Sequence, residues 1–115
     1  MNTVYVIQRQ LRRDQETGDI VDRFDLGPAE QYGRIVFLLE PNASAFRSKE
    51  VIRDLRHALS RFTGNDYLLL IGNPCIIGWS TAIAAEFSGG CVKMLQWNSQ
   101  QQAYMVVEGD IKDNK

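Results

Sequence analysis

The segment Gly72-Asn73-Pro74-Cys75 holds the residues whose types and spacing best suit binding of a small ligand. It follows an apolar run at residues 67–71 that predicts a buried strand, and it opens a second apolar run that predicts a helix. Backbone N–H groups at the start of a helix favour anions, and ligands of α/β sheets bind outside the carboxyl ends of strands. Gly72, Asn73 and Cys75 are therefore one candidate ligand site. The alternative is that Asn73 and Pro74 only cap the helix, because the segment has no phosphate-loop lysine and no glycine triplet.

Nucleophilic catalysis would need a base beside Cys75, which lies in the first turn of that predicted helix. His57 is the only histidine in the chain, and no pattern in the sequence places it near Cys75. Cys75 and Cys91 are also too few for a zinc site, which usually takes four ligands. We therefore predict no catalytic residues, no metal and no cofactor, and we expect the chain not to be an enzyme.

A stripe of basic residues at four-residue intervals is the second candidate site. Functionally, such a stripe could bind phosphate groups or an acidic protein surface. The alternative is an ordinary solvated helix face, partly neutralised by Glu50 and Asp54. The stripe consists of Lys49, Arg53, His57 and Arg61, and Arg56 beside it completes this candidate macromolecule-binding face.

The size and charge of the chain set limits on its class. Its 115 residues predict a single domain over 1–115 with a polar, frayed tail at about 110–115. A formal net charge of −1 argues against a protein that binds nucleic acid through bulk positive charge. We find no run long enough to span a membrane and no signal-peptide pattern, so we expect no membrane partner and a cytoplasmic location.

Two amphipathic or apolar segments predict the helices. Residues 48–62 place apolar side chains on one helical face, with Ser48 as the predicted N-cap and Arg61 in the last turn. Residues 74–87 are apolar almost all round, leaving a narrow polar side at Ser80, Thr81 and Glu86. Such a helix must pack on the sheet and also on the other helix or on a second subunit.

The remaining segments predict strands. An N-terminal hairpin pairs residues 3–11 with residues 20–26 around a polar loop in which Gly18 supplies a positive φ, and a strand follows at residues 34–40. A closing hairpin pairs residues 91–97 with 103–107, which could bring Trp97 into contact with Tyr104.

These elements give the order β-β-β-α-β-α-β-β. The sequence predicts an α+β (mixed α/β) domain with a mixed, mostly antiparallel sheet of five to six strands and two α-helices, most simply both on one face. The other face would be open to solvent or to a partner. The surplus of apolar residues on the second helix and the closing hairpin predicts a homodimer, with Trp79, Ala82, Trp97 and Tyr104 as candidate self-association residues.

Three runs of this sequence resemble a set of small uncharacterised accessory proteins encoded by tailed bacteriophages. They are residues 24–33 (Phe-Asp-Leu-Gly-Pro-Ala-Glu-Gln-Tyr-Gly), residues 66–69 with 72–74, and residues 92–97 with Tyr104. The resemblance covers about residues 3–111 and brings no catalytic residues with it. It implies an accessory protein that acts in the cytoplasm of an infected bacterial host.

Three functions remain open at this point. The leading hypothesis is a non-enzymatic binding protein that attaches to a host or phage protein, for example as an inhibitor of a host polymerase or defence complex. The second is a nucleic-acid-binding accessory protein that uses the basic helix face. The third is a small-ligand or nucleotide-binding protein with its site at residues 72–75.

Overall fold

The computed structural model describes residues 2–112 and shows seven strands, two α-helices and one 3-10 helix. The 3-10 helix spans Gly27–Tyr32, between β3 and β4. The other elements, in chain order, are β1 (Thr3–Gln8), β2 (Leu11–Arg13), β3 (Ile20–Asp22), β4 (Arg34–Leu39), α1 (Ser48–Ala58), β5 (Tyr67–Leu69), α2 (Pro74–Ser88), β6 (Cys91–Asn98) and β7 (Ala103–Asp110).

The main sheet has five strands in the order β4-β1-β5-β6-β7. The mixed α/β class and the order of the elements are confirmed, but the expectation of a mostly antiparallel sheet is wrong. β1 is parallel to both β4 and β5, and β5 is parallel to β6, so only β6 and β7 pair antiparallel in this sheet. The reason is that the chain from β1 to β4 is long enough to cross over the sheet, which a parallel pairing requires.

The predicted N-terminal hairpin forms, but it is separate from the main sheet. The chain leaves the sheet after Gln8, and β2 pairs antiparallel with β3 alone. Gly18 has the expected positive φ of 77°, and Arg9 forms an ion pair with Asp22 at 2.9 Å beside the base of the hairpin. Strand β3 ends at Asp22, earlier than predicted, and the following residues lead into the 3-10 helix.

Helix α1 buries the predicted apolar face, but its two ends differ from the prediction. Arg47 occupies the N-cap position without a side-chain hydrogen bond, and Ser48 is already the first helical residue. The helix ends at Ala58, so Arg61 lies beyond its last turn. Val51 and Leu55 from the helix, with Leu59 and Phe62 after it, are buried against the sheet.

Helix α2 begins and ends where the sequence predicts. The Asn73 side chain accepts hydrogen bonds from the N–H groups of Cys75 and Ile76, and Gly89 ends the helix in the left-handed conformation with φ 70°. The sequence predicts Ser80 on the polar side of α2, but the residue is fully buried. Its hydroxyl can be buried because it donates a hydrogen bond to the carbonyl of Ile76 at 2.8 Å.

Each face of the sheet carries its own apolar cluster. Residues of α1 and α2 pack together with Tyr5, Ile7 and Leu68 on one face, as predicted. The opposite face is not simply open, because Ala29 and its neighbours in the 3-10 helix pack with Val4 and Val6 there. The loop between β3 and β4 therefore forms a partial second layer.

Two further observations concern the described residues. Across residues 2–112, no helix combines the length and the apolar character needed to cross a membrane. Part of the predicted frayed tail is ordered, since β7 runs to Asp110, and residues 113–115 of that tail lie outside the described part.

Candidate functional site: an apolar cleft between two hairpins

The carboxyl ends of the parallel strands form the edge of the sheet from which two hairpins project. The β2–β3 hairpin follows the end of β1. The β6–β7 hairpin continues beyond the sheet, because β5 pairs with β6 only as far as Leu69 opposite Leu95 and β6 runs on to Asn98. Ligands of α/β sheets bind at this edge.

A cleft of about 440 Å³ lies at this edge. This volume falls in the range of small-molecule and side-chain binding pockets, which are mostly apolar with a few polar groups. The chain segment after β3, the end of β5 and the projecting β6–β7 hairpin contribute its walls. The lining residues are Phe24, Asp25, Leu69, Leu70, Ile71, Met94, Leu95, Gln96, Trp97, Tyr104 and Val107.

Two aromatic residues form one wall of the cleft. The rings of Trp97 and Tyr104 pack edge to face with centroids 5.0 Å apart, which confirms the predicted cross-strand contact. Tyr104 is 5% exposed and belongs to the core, whereas Trp97 is 42% exposed. Tyr104 thus holds an indole ring in a fixed position on an accessible wall.

Among the described residues, Asp25 is the one charged residue that lines the cleft. Its carboxylate accepts a hydrogen bond from the N–H of Gly27 at 2.9 Å, which fixes the turn that leads into the 3-10 helix. The pKa of Tyr104 is raised, first by burial of the phenol and second by the negative charge of Asp25. The cleft therefore combines apolar walls, a neutral phenol and one negative charge.

Sequence reasoning did not find this cleft. The sequence predicts a strand for Phe24 and Asp25, and their distance in sequence from Leu70 and Trp97 gives no reason to place them together. The available signal is the aromatic Phe24 just before the turn at Gly27 and Pro28, combined with Trp97 in a hairpin. Only the separation of the β2–β3 hairpin from the main sheet brings these segments to one edge.

The predicted basic face of α1 is present but partly neutralised. Arg56 forms an ion pair with Glu86 of α2 at 2.9 Å, and Arg53 lies 3.8 Å from Asp54. Arg53 and His57 also line a groove between β4 and α1 that contains acidic residues. Lys49 is exposed at the start of the helix, and Arg61 is exposed beyond its end.

The residues of the candidate segment 72–75 have structural contacts of their own. The Asn73 side chain caps α2 by accepting from the N–H groups of Cys75 at 2.8 Å and Ile76 at 3.4 Å. The backbone N–H of Asn73 donates to the buried side chain of Gln8 at 3.0 Å. Cys75 is exposed, and Gly72 adopts a φ of 136°. The N–H groups at this helix start are thus directed to the cap rather than to an open anion site.

The four candidate self-association residues do not form one surface. Trp79 packs against the core on the helix-covered face, and Ala82 is exposed on α2. Tyr104 belongs to the cluster on the opposite face, and Trp97 contacts it there.

No group of three or more metal-ligating side chains occurs among the described residues.

The fold and the cleft define an α/β domain with a mostly parallel sheet and an apolar cleft at the carboxyl ends of its strands. The particular family follows from the sequence. The chain belongs to the family described as Phage Pam3 gp32-like protein, whose model matches residues 2–111. This match confirms the resemblance to phage-encoded accessory proteins. Comparisons with curated proteins and with solved structures found no match.

Proposed function

We propose that this phage protein is a non-enzymatic accessory protein that binds a host or phage protein through the cleft between its two hairpins. The observation that carries the proposal is the composition of the cleft. The described residues that line it give apolar and aromatic walls and a single charge, on Asp25. A bulky apolar side chain of a partner fills such a cleft, and a neighbouring lysine or arginine pairs with Asp25. Aromatic anchors in pockets dominate the binding energy of many protein interfaces.

The setting of the family supports this function. The family is a phage family, and on this proposal the protein acts in the cytoplasm of the infected bacterium on a host or phage macromolecule. Binding of a basic, apolar segment changes the activity of such a target without any reaction at the cleft. The nucleic-acid alternative has weaker support, because Arg53 and Arg56 have acidic neighbours within 3.8 Å and 2.9 Å.

The test compares cleft variants as baits in nuclease-treated lysate of infected cells. Asp25→Asn keeps the turn-forming oxygen but removes the charge, and Trp97→Ala removes the accessible wall. Each variant should retain at least tenfold less of the partner than the parent protein does. Phe46→Ala is the matched control, because Phe46 is fully exposed and does not line the cleft.

The contribution of the Asp25 charge to partner binding can be measured separately. Because Asp25 pairs with a cation of the partner, retention by the parent protein should weaken as salt rises, and retention by Asp25→Asn should depend less on salt. A partner that both cleft variants retain at the parent level would refute this function.

A further inference from the structure

β7 is an edge strand of the main sheet and carries its most exposed run of apolar residues. Met105, Val106 and Val107 are consecutive and are 40%, 44% and 46% exposed. In the opposite edge strand, β4, the apolar residues are all buried or half-buried, and the exposed residue is Arg34. Long apolar edge strands are templates for pairing with another strand, and soluble proteins usually protect them with charges, proline or bulges.

The direction of the β7 hydrogen-bonding groups follows from one contact. The N–H of Ile111 donates to the carbonyl of Gly90 at 2.9 Å, one step beyond the pair Cys91 and Asp110. In an antiparallel ladder the groups alternate, so odd-numbered residues of β7 point toward β6 and even-numbered residues point outward. The carbonyl of Tyr104 agrees with this assignment, because it accepts from the hydroxyl of Tyr32 in the 3-10 helix rather than from β6.

We propose that two copies of this chain pair β7 with β7 antiparallel, around a two-fold axis at Val106. Both Val106 residues then exchange their outward N–H and C=O groups, and each Tyr104 N–H donates to the carbonyl of the second copy's Glu108. The Tyr104 carbonyl keeps its hydrogen bond from the Tyr32 hydroxyl of its own chain. Met105 packs opposite the second copy's Val107 on the helix-covered side. The dimer has one continuous sheet, and its contact closes because both copies use the same surface.

Charge selects this register. Glu108 and Asp110 lie at one end of β7, so parallel in-register pairing, or a two-fold axis at Glu108, would set like charges opposite each other. With the axis at Val106, Glu108 faces Tyr104. The two Glu108 residues are then four residues apart along the strands, about 14 Å at the rise of an antiparallel strand.

A proline tests the pairing without breaking the hairpin. The N–H of Val106 does not bond to β6, so Val106→Pro removes only an outward donor at an edge, a position where proline is tolerated. We expect the parent protein to sediment at twice its chain mass of 13.1 kDa and Val106→Pro to sediment at the chain mass. The control Val106→Thr keeps a β-branched side chain and the N–H, and it should stay dimeric.

Engineered cysteines test the register. In a chain that also carries Cys75→Ser and Cys91→Ser, Val106→Cys should give a covalent dimer with copper phenanthroline as the oxidant. Glu108→Cys in the same chain should not, because a disulfide needs Cα atoms within about 7 Å. A parent protein that sediments as a monomer, a dimeric Val106→Pro variant, or a Val106→Cys chain that does not cross-link would each overturn the proposal. Val106, the residue that is changed, does not line the cleft, although its neighbour Val107 does. Because sedimentation of the purified chain needs no partner, this result can be told apart from a failure of the proposed function.

Discussion

The side-chain oxygen of Gln8 accepts a hydrogen bond from the backbone N–H of Asn73 at 3.0 Å. The two N–H groups of the same side chain share three carbonyl acceptors, that of Ala43 at 3.0 Å and those of Glu40 and Pro41 at 3.3 Å. Gln8 is only 3% exposed. One buried amide therefore joins the carboxyl ends of β1, β4 and β5, the edge that carries the cleft.

Replacing Gln8 tests its role as a structural link. Gln8→Ala leaves the N–H of Asn73 without its acceptor and several carbonyls without their donor, so the free energy of unfolding should fall by about 1–3 kcal/mol. Urea denaturation followed by circular dichroism measures this change. The control Gln101→Ala removes an exposed glutamine from a turn and should leave the urea midpoint unchanged. Equal stability of the two variants would contradict the role of Gln8.

Replacing Gly72 and Gly78 by alanine should change the stability of the protein in opposite directions. Gly72 has a φ of 136°, and a Cβ there would lie 2.6 Å from the Cβ of Gln8. Gly72→Ala should therefore destabilise the protein by more than about 1 kcal/mol. Gly78 lies within α2, and a Cβ there has no neighbour within 4 Å, so Gly78→Ala should stabilise by up to about 1 kcal/mol. Melting temperatures that shift in the same direction would contradict this pair.

The elements of the fold could largely be predicted because their signals are local. The Asn73 cap, the Gly89 stop and the buried face of α1 each depend on residues within a few positions of one another. The pairing of the strands could not be predicted in the same way. The residues between β1 and β4 are typical of a hairpin, and they form one, but nothing local shows that this hairpin leaves the main sheet and lets β1 lie parallel to β4.

The candidate site illustrates the same limit. Trp97 and Tyr104 could be paired from the sequence because a short turn sets the register of their hairpin. Phe24 and Asp25 reach the cleft only through the crossover, a non-local feature. Ser80 shows a further limit, because a hydroxyl that bonds to its own helix carbonyl can be buried in a position that polarity alone assigns to the surface.

Among the carboxylates, Asp66 should be the one whose replacement lowers the stability of the fold most. It is 7% exposed and accepts from the N–H of Thr3 at 2.9 Å, and from the N–H and the hydroxyl of Thr63 at 2.9 and 3.1 Å. Asp66→Asn turns an amide donor toward one of these donors, so the free energy of unfolding should fall by about 1–3 kcal/mol. The control Asp19→Asn changes an exposed carboxylate and should leave stability unchanged. A urea midpoint of Asp66→Asn equal to that of the control would show that these bonds contribute little.

Two buried tyrosines should make the protein sensitive to alkali. Burial raises the pKa of both Tyr5 and Tyr104, with smaller contributions from the negative charges of Asp66 and Asp25 respectively. The folded chain holds these protons more tightly than the unfolded chain. Their contribution to stability is therefore fully present below the ordinary tyrosine pKa of about 10, and it is lost as the pH rises through the higher pKa of the folded state.

Urea titrations at pH values from 9 to about 11 measure this loss, and absorbance at 295 nm follows the tyrosinate directly. The double variant Tyr5→Phe, Tyr104→Phe retains the rings but has no phenol to ionise at these positions. Its free energy of unfolding should therefore fall less steeply with pH than that of the parent protein, because lysine and the other tyrosines titrate in both. Equal slopes would mean that these two phenols ionise as readily in the folded chain as in the unfolded one.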